Sequence, residues 1–130
     1  MRKATLRRDE RLRGAKPLSA LFKNPFSVKQ YPFRIHWVLA QKSQTPVRTV
    51  FIVSSRKYRK AVTRNRIRRV MRELFRLNKE PLYSALGDKD IYVHMALMYQ
   101  GEPDLGYWQV LPAYLRLMEK LKEDVQKRTH

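Results

Sequence analysis

The stretch KAVTRNRIRRVMRELFR, residues 60–76, carries two patterns at once. Ile67, Val70, Met71 and Leu74 recur at i, i+3, i+4 and i+7, and Phe75 extends the stripe, the spacing of an apolar helix face turned to a core. Arg64, Arg68, Arg72 and Arg76 recur every four residues with Arg69 beside them, so the opposite face is a ridge of guanidinium groups. Like charges at that spacing each cost a helix a few tenths of a kcal/mol. A helix that only needs solubility mixes signs, whereas here Glu73 alone interrupts the basic run. The segment predicts an amphipathic helix whose outer face awaits a polyanion.

Before this helix, Val47 to Ser55 is rich in β-branched and aromatic residues and reads as a strand. Phe33 to Gln41 alternates Phe33, Ile35, Trp37 and Leu39 against Arg34, His36 and Val38, a strand with two unlike faces, running antiparallel to the first. Lys42 to Pro46 is the turn between them. Phe26 to Lys29 is a further short strand. Pro17 suits the first position of a short helix from Leu18 to Lys23, ended by Asn24-Pro25. Residues 1–16 show no sustained period and read as an extended or mobile basic arm. Beyond the basic helix, Pro81 to Lys89 reads as a loop, Ile91 to Met98 as a strand and Gln100 to Gly106 as a loop. Leu111, Tyr114, Leu115, Met118, Leu121 and Val125 mark a last helix starting near Pro112. The order is α+β, with no repeat and no internal boundary across residues 1–130.

The chain has 130 residues, 29 Lys+Arg against 11 Asp+Glu and a net charge of +18. The charge is local. Residues 1–23 hold +6 and residues 56–76 hold +9, which together supply +15 of the +18. Clustering of this kind marks a docking surface for a polyanion, and Arg, which outnumbers Lys here, suits bidentate phosphate contacts. A hydrophobic fraction of 43% is too high for a disordered basic tail. The absence of Cys excludes disulfide scaffolds, Cys-ligated zinc and thiol catalysis. No apolar run approaches a membrane span, and no apolar segment follows Met1-Arg2-Lys3, so a cytoplasmic setting is expected.

Catalytic patterns are thin. His36, His94 and His130 are far apart, no Ser-His-Asp trio can be motivated, and the four Gly residues form no phosphate loop. Asp88 and Asp90 are the acids best spaced to touch a hydrated metal, although a turn leading into a strand accounts for them too. The residues alone favour a nucleic-acid-binding protein without an active site of its own, ribosomal-type proteins among them, over a protein-only nuclease.

Residues 60–76 closely resemble the Arg-Asn-Arg helix of the bacterial ribonuclease P protein subunit: Ala-Val, one residue, Arg-Asn-Arg, two basic positions, an apolar pair, Arg-Glu and an aromatic. The flanking elements agree in order and length over nearly the whole chain. The resemblance implies an α-β-β-β-α-β-α two-layer sandwich with a central mixed sheet and a left-handed β-α-β crossover, against the usual right-handed rule. It also implies a function: one protein bound per catalytic RNA subunit, a cleft for the single-stranded 5′ leader of precursor tRNA, and hydrolysis performed by the RNA with Mg2+ that it mainly binds itself. Carried over by position, Arg56, Lys57, Arg64, Asn65, Arg66, Arg68, Arg69 and Arg72 are expected to bind the RNA subunit. Leu18, Phe22, Phe33 and His36 are expected to line the leader cleft. Departures from the family pattern are Leu18 for a frequent Phe, His36 for a frequent Tyr, Arg59 for a usual Gly, and Ala96 for a frequent Arg.

Overall fold

The basic stretch is helical from Ala61 to Asn78 in the computed structural model, which describes residues 10–129. Eight elements follow one another: α1 (Ala15–Lys23), β1 (Phe26–Gln30), β2 (Phe33–Leu39), β3 (Val47–Val53), α2 (Ala61–Asn78), α3 (Glu80–Gly87), β4 (Val93–Tyr99) and α4 (Tyr107–Arg128). The strands form one mixed sheet in the order β1-β2-β4-β3. β1 pairs antiparallel with β2, β2 antiparallel with β4, and β3 parallel with β4. β3 thus runs opposite to β2, as the sequence suggests, but β4 lies between them. A parallel pair needs a crossover, and α2 with α3 supplies it.

Strand alternation gives the sheet two faces. Phe33, Ile35, Trp37, Val93, Met95, Leu97, Tyr99, Val47 and Val53 are buried on one face under α2 and α4, together with Ile67, Met71, Leu74, Phe75, Tyr114, Leu117 and Leu121. Trp37 Nε1 donates to Asp124 Oδ2 at 2.9 Å, tying β2 to α4. On the other face lies α1. Leu12 and Leu21 cover Ala96 there, with Leu18, Val38, Val50 and Ile52 packed around them.

Four boundaries differ from the sequence reading, each for a local reason. Residues 81–89, expected as a loop, contain α3. Pro81 sits in its first turn, where no N–H is required, and Leu82 and Leu86 are buried one turn apart. α4 starts at Tyr107, five residues before the expected position, and contains Pro112 in its interior. The Gly106 N–H donates to Gln109 Oε1 at 3.0 Å, which closes the first turn. α1 begins at Ala15, after Gly14 at φ +100°, a conformation open to glycine.

The fourth difference concerns the arm. Residues 1–9 lie outside the described residues, but 10–16 are not a loose extension. Arg11 forms a bridge to Thr49 at the edge of β3, and the Leu12 N–H donates to the Thr49 carbonyl at 3.0 Å. Glu10 is buried. Lys79 Nζ donates to both its carboxylate oxygens at 2.9 Å, and the Tyr83 hydroxyl donates to it as well. A buried carboxylate is tolerated when paired in this way. Its partners lie about 70 positions away, which is why local periodicity did not reveal it.

Candidate nucleic-acid interface

α2 buries Ile67, Met71, Leu74 and Phe75 and turns its charges outward. Several of those charges also brace the protein. Arg64 Nη1 donates to the carbonyls of Tyr58 at 2.9 Å and Arg59 at 2.8 Å, holding the loop that precedes the helix. Arg66 Nη2 donates to the Pro103 carbonyl at 2.9 Å. Lys57 Nζ donates to the Gln100 carbonyl, and the buried Tyr58 hydroxyl donates to the Gly101 carbonyl. Gly101 fits tightly there, since a Cβ would lie 2.6 Å from Pro32 Cβ. Loop 54–60 is therefore pinned at one end of the sheet, with Arg56, Lys57, Arg59 and Lys60 exposed on it.

The helix crest consists of Asn65, Arg68, Arg69 and Arg72, of which Asn65, Arg69 and Arg72 are exposed. Arg68 Nη1 reaches Asn65 Oδ1 at 3.4 Å. Lys60 holds the N-cap position, so Asn65 lies in the second turn and has no helix-capping role. The Arg72 guanidinium stands 6.0 Å from the centroid of the Phe51 ring. Arg76 is paired with Glu73. A guanidinium carries five donors, so the braced arginines keep donors for phosphates.

A second surface lies on the outer face of the sheet beside α1. Phe22 is 53% exposed, and its ring meets His36 edge-on at 5.9 Å. Leu18, half-buried, stands one turn earlier. Phe33 does not belong to this surface. It is 1% exposed on the opposite face, packed between Tyr99 at 5.6 Å and Tyr114 at 5.8 Å. Residues an odd number of positions apart in a strand point to opposite faces, so Phe33 and His36 cannot line one cleft. The residues that do share the face of His36 are Arg34, Arg48, His94 and Met98, placed by the register Arg34↔Met98 and Arg48↔His94. Arg34 and His36 stand out in sequence as the polar half of an alternating strand; Arg48 and His94 need the pairing to be noticed. Three nitrogen atoms here, Arg34 Nε, His36 Nδ1 and Arg48 Nε, are buried without a hydrogen-bond partner.

Burial lowers the pKa of His94, and the neighbouring Arg48 lowers it further. Burial and then Arg34 lower that of His36, against a backbone hydrogen bond at Leu21. Both imidazoles are thus neutral in the folded protein at pH 7. Below about pH 6.5 the unfolded chain takes up protons that the folded chain refuses, so stability falls as pH drops through that value. Urea unfolding from pH 7.5 to 5 is expected to show this decline, and His94→Gln should flatten it. An unchanged profile would mean that His94 is not held neutral by its surroundings.

A small basic α+β protein, with its charge on the crossover helix of a β1-β2-β4-β3 sheet and a second polar surface beside α1, is the class that these features define. The sequence model of the ribonuclease P family matches residues 6–121. The chain belongs to the ribonuclease P protein family. It is 31% identical to the ribonuclease P protein component of Porphyromonas gingivalis over 94 residues, covering 72% of this chain and 69% of that protein. It is 28% identical to the same component of Chlorobium phaeobacteroides over 135 residues, covering 97% of this chain and 86% of the relative. In fold it is similar to the RNase P protein of Staphylococcus aureus, with TM-score 0.68 and 20% identity, covering 87% of this chain and 95% of that one. The Thermotoga maritima RNase P protein gives TM-score 0.64 and 23% identity, covering 85% and 96%.

Proposed function

We propose that this chain is the protein subunit of ribonuclease P. It binds the catalytic RNA subunit through α2 and loop 54–60, and the 5′ leader of precursor tRNA through the groove between α1 and the outer face of the sheet. One protein joins one RNA in the cytoplasm. The observation that carries this reading is the pairing of two surfaces of different chemistry. The crest of α2 offers closely spaced guanidinium groups, which grip phosphates without reading sequence. The outer face of the sheet offers an exposed Phe22 ring, where a base can stack for about 1–3 kcal/mol, and carries Arg34, His36 and Arg48 on the same side. The guanidinium groups of Arg34 and Arg48 suit the oxygens of a single strand.

The phosphodiester hydrolysis falls to the RNA subunit. Among the described residues no group of three or more His, Asp or Glu is placed to hold a magnesium ion. Asp90 Oδ1 instead accepts the Tyr92 hydroxyl at 3.1 Å. The protein neutralises phosphate charge and places the leader.

Reconstitution with the RNA subunit at low magnesium tests the reading. Leader removal is expected to be slow with RNA alone and much faster with the protein added. Cleavage by the protein alone, or no effect of the protein, would overturn it. Within the groove, Phe22→Ala is expected to weaken binding of precursor tRNA by roughly 5- to 160-fold, the equivalent of one lost stacking contact, and to leave mature tRNA binding nearly unchanged. Equal losses for both would reduce Phe22 to a packing residue.

A further inference from the structure

We propose that Arg11 joins Arg68 and Arg72 in a single phosphate-binding cluster, so that the edge of β3 and the basic helix act as one RNA-binding surface. This rests on the RNA-binding reading above and extends it to a residue from the other end of the charge distribution.

The geometry begins at the outer edge of β3. Arg11 is bridged to Thr49, and Thr49 and Phe51 share the face of β3 that meets α2. The Arg72 guanidinium stands over the Phe51 ring at 6.0 Å, and that ring meets Phe75 of α2 edge-on at 6.0 Å. Arg68 lies one helical turn before Arg72. The edge of β3 thus carries Arg11 on one side and the crest of α2 on the other.

Two acids near the cluster among the described residues have basic partners of their own. Glu10 is buried against Lys79 and Tyr83, which also holds Arg11 in position at the strand edge. Glu73 is paired with Arg76. Burial, then Arg11 and then Arg68, lower the pKa of the Arg72 guanidinium, which places the three cations within each other's field. Cations brought together repel each other, and a phosphodiester relieves that repulsion while using the forked donors of arginine.

The test uses the full chain and the transcribed ribonuclease P RNA, with affinity measured across a range of salt concentrations. Arg11→Gln, Arg72→Gln and the double variant are compared, with Arg69→Gln as a second point on the crest. Arg11 is exposed, so its variant is expected to melt at the wild-type temperature. Arg11→Gln should reduce the slope of log affinity against log salt by ~0.7–0.9, as one lost phosphate contact does. The double variant should bind at least about twofold better than the product of the single losses, the sign of a shared contact. No change for Arg11→Gln alongside a loss for Arg69→Gln would overturn the cluster and leave α2 as the dock. Independent losses for Arg11 and Arg72 would place them on separate phosphates and also overturn it. No loss for either Arg11 or Arg69 would overturn the RNA-docking reading itself.

Discussion

Replacing Arg68, Arg69 and Arg72 together with Gln is expected to flatten the salt dependence of binding to the RNA subunit by about 2 to 3 in log–log slope. Each guanidinium that neutralises a phosphate releases condensed counterions, worth ~0.7–0.9 of slope per contact. Over a fourfold rise in salt, the wild type would lose ~30-fold more affinity than the variant through these contacts alone. Gln keeps a polar side chain but is shorter and uncharged, so the guanidinium–phosphate contact is lost with the charge. None of the three residues braces loop 54–60, which is the work of Arg64. Removing like charges one turn apart should leave the melting temperature unchanged or raise it slightly. A binding loss with an unchanged slope would mean that these residues act through shape rather than phosphate contacts, and would move the dock elsewhere.

Phe33→Ala is expected to cost about 3–5 kcal/mol of folding stability, as truncation of a buried aromatic does. The ring is fully enclosed between Tyr99 and Tyr114, so its loss leaves a cavity that two rigid neighbours cannot close. Phe22→Ala removes a ring that is 53% exposed and should cost far less. Urea unfolding of the two variants separates them. A loss below about 1 kcal/mol for Phe33→Ala would contradict its place in the core.

These two phenylalanines also mark how far the sequence could be read. The helix at 60–76 and the strands at 33 and 47 were legible because period and composition agree within each segment. The basic crest was legible for the same reason, since residues four apart on a helix share a face whatever surrounds them. The outer-face groove was only half legible. Alternation separates Phe33 from His36, yet a resemblance carried over by residue type put both in one cleft. Arg48 and His94 were missed because they meet only through the parallel pairing of β3 with β4, which no local pattern encodes. Glu10 was missed because its partners, Lys79 and Tyr83, come from the far side of the chain. α3 was hidden by Pro81 and Gly87, which mark the ends of a helix as well as a loop.

The crossover from β3 to β4 has one more consequence. Val47 pairs with Val93, so the edge strand β3 meets β4 only after the chain between them has been brought round, and α2 is part of that connection. Closing a long connection costs entropy before the strands repay it, which makes this pairing a late and slow event in folding. A partner that grips α2 in its folded position therefore acts on the sheet as well as on the helix. At a hundred times its dissociation constant, such a partner adds about 2.7 kcal/mol to the folded state. Assembly on RNA and completion of the fold are then linked equilibria, and a chain carrying +18 gains from the partner both its counter-charge and its closure.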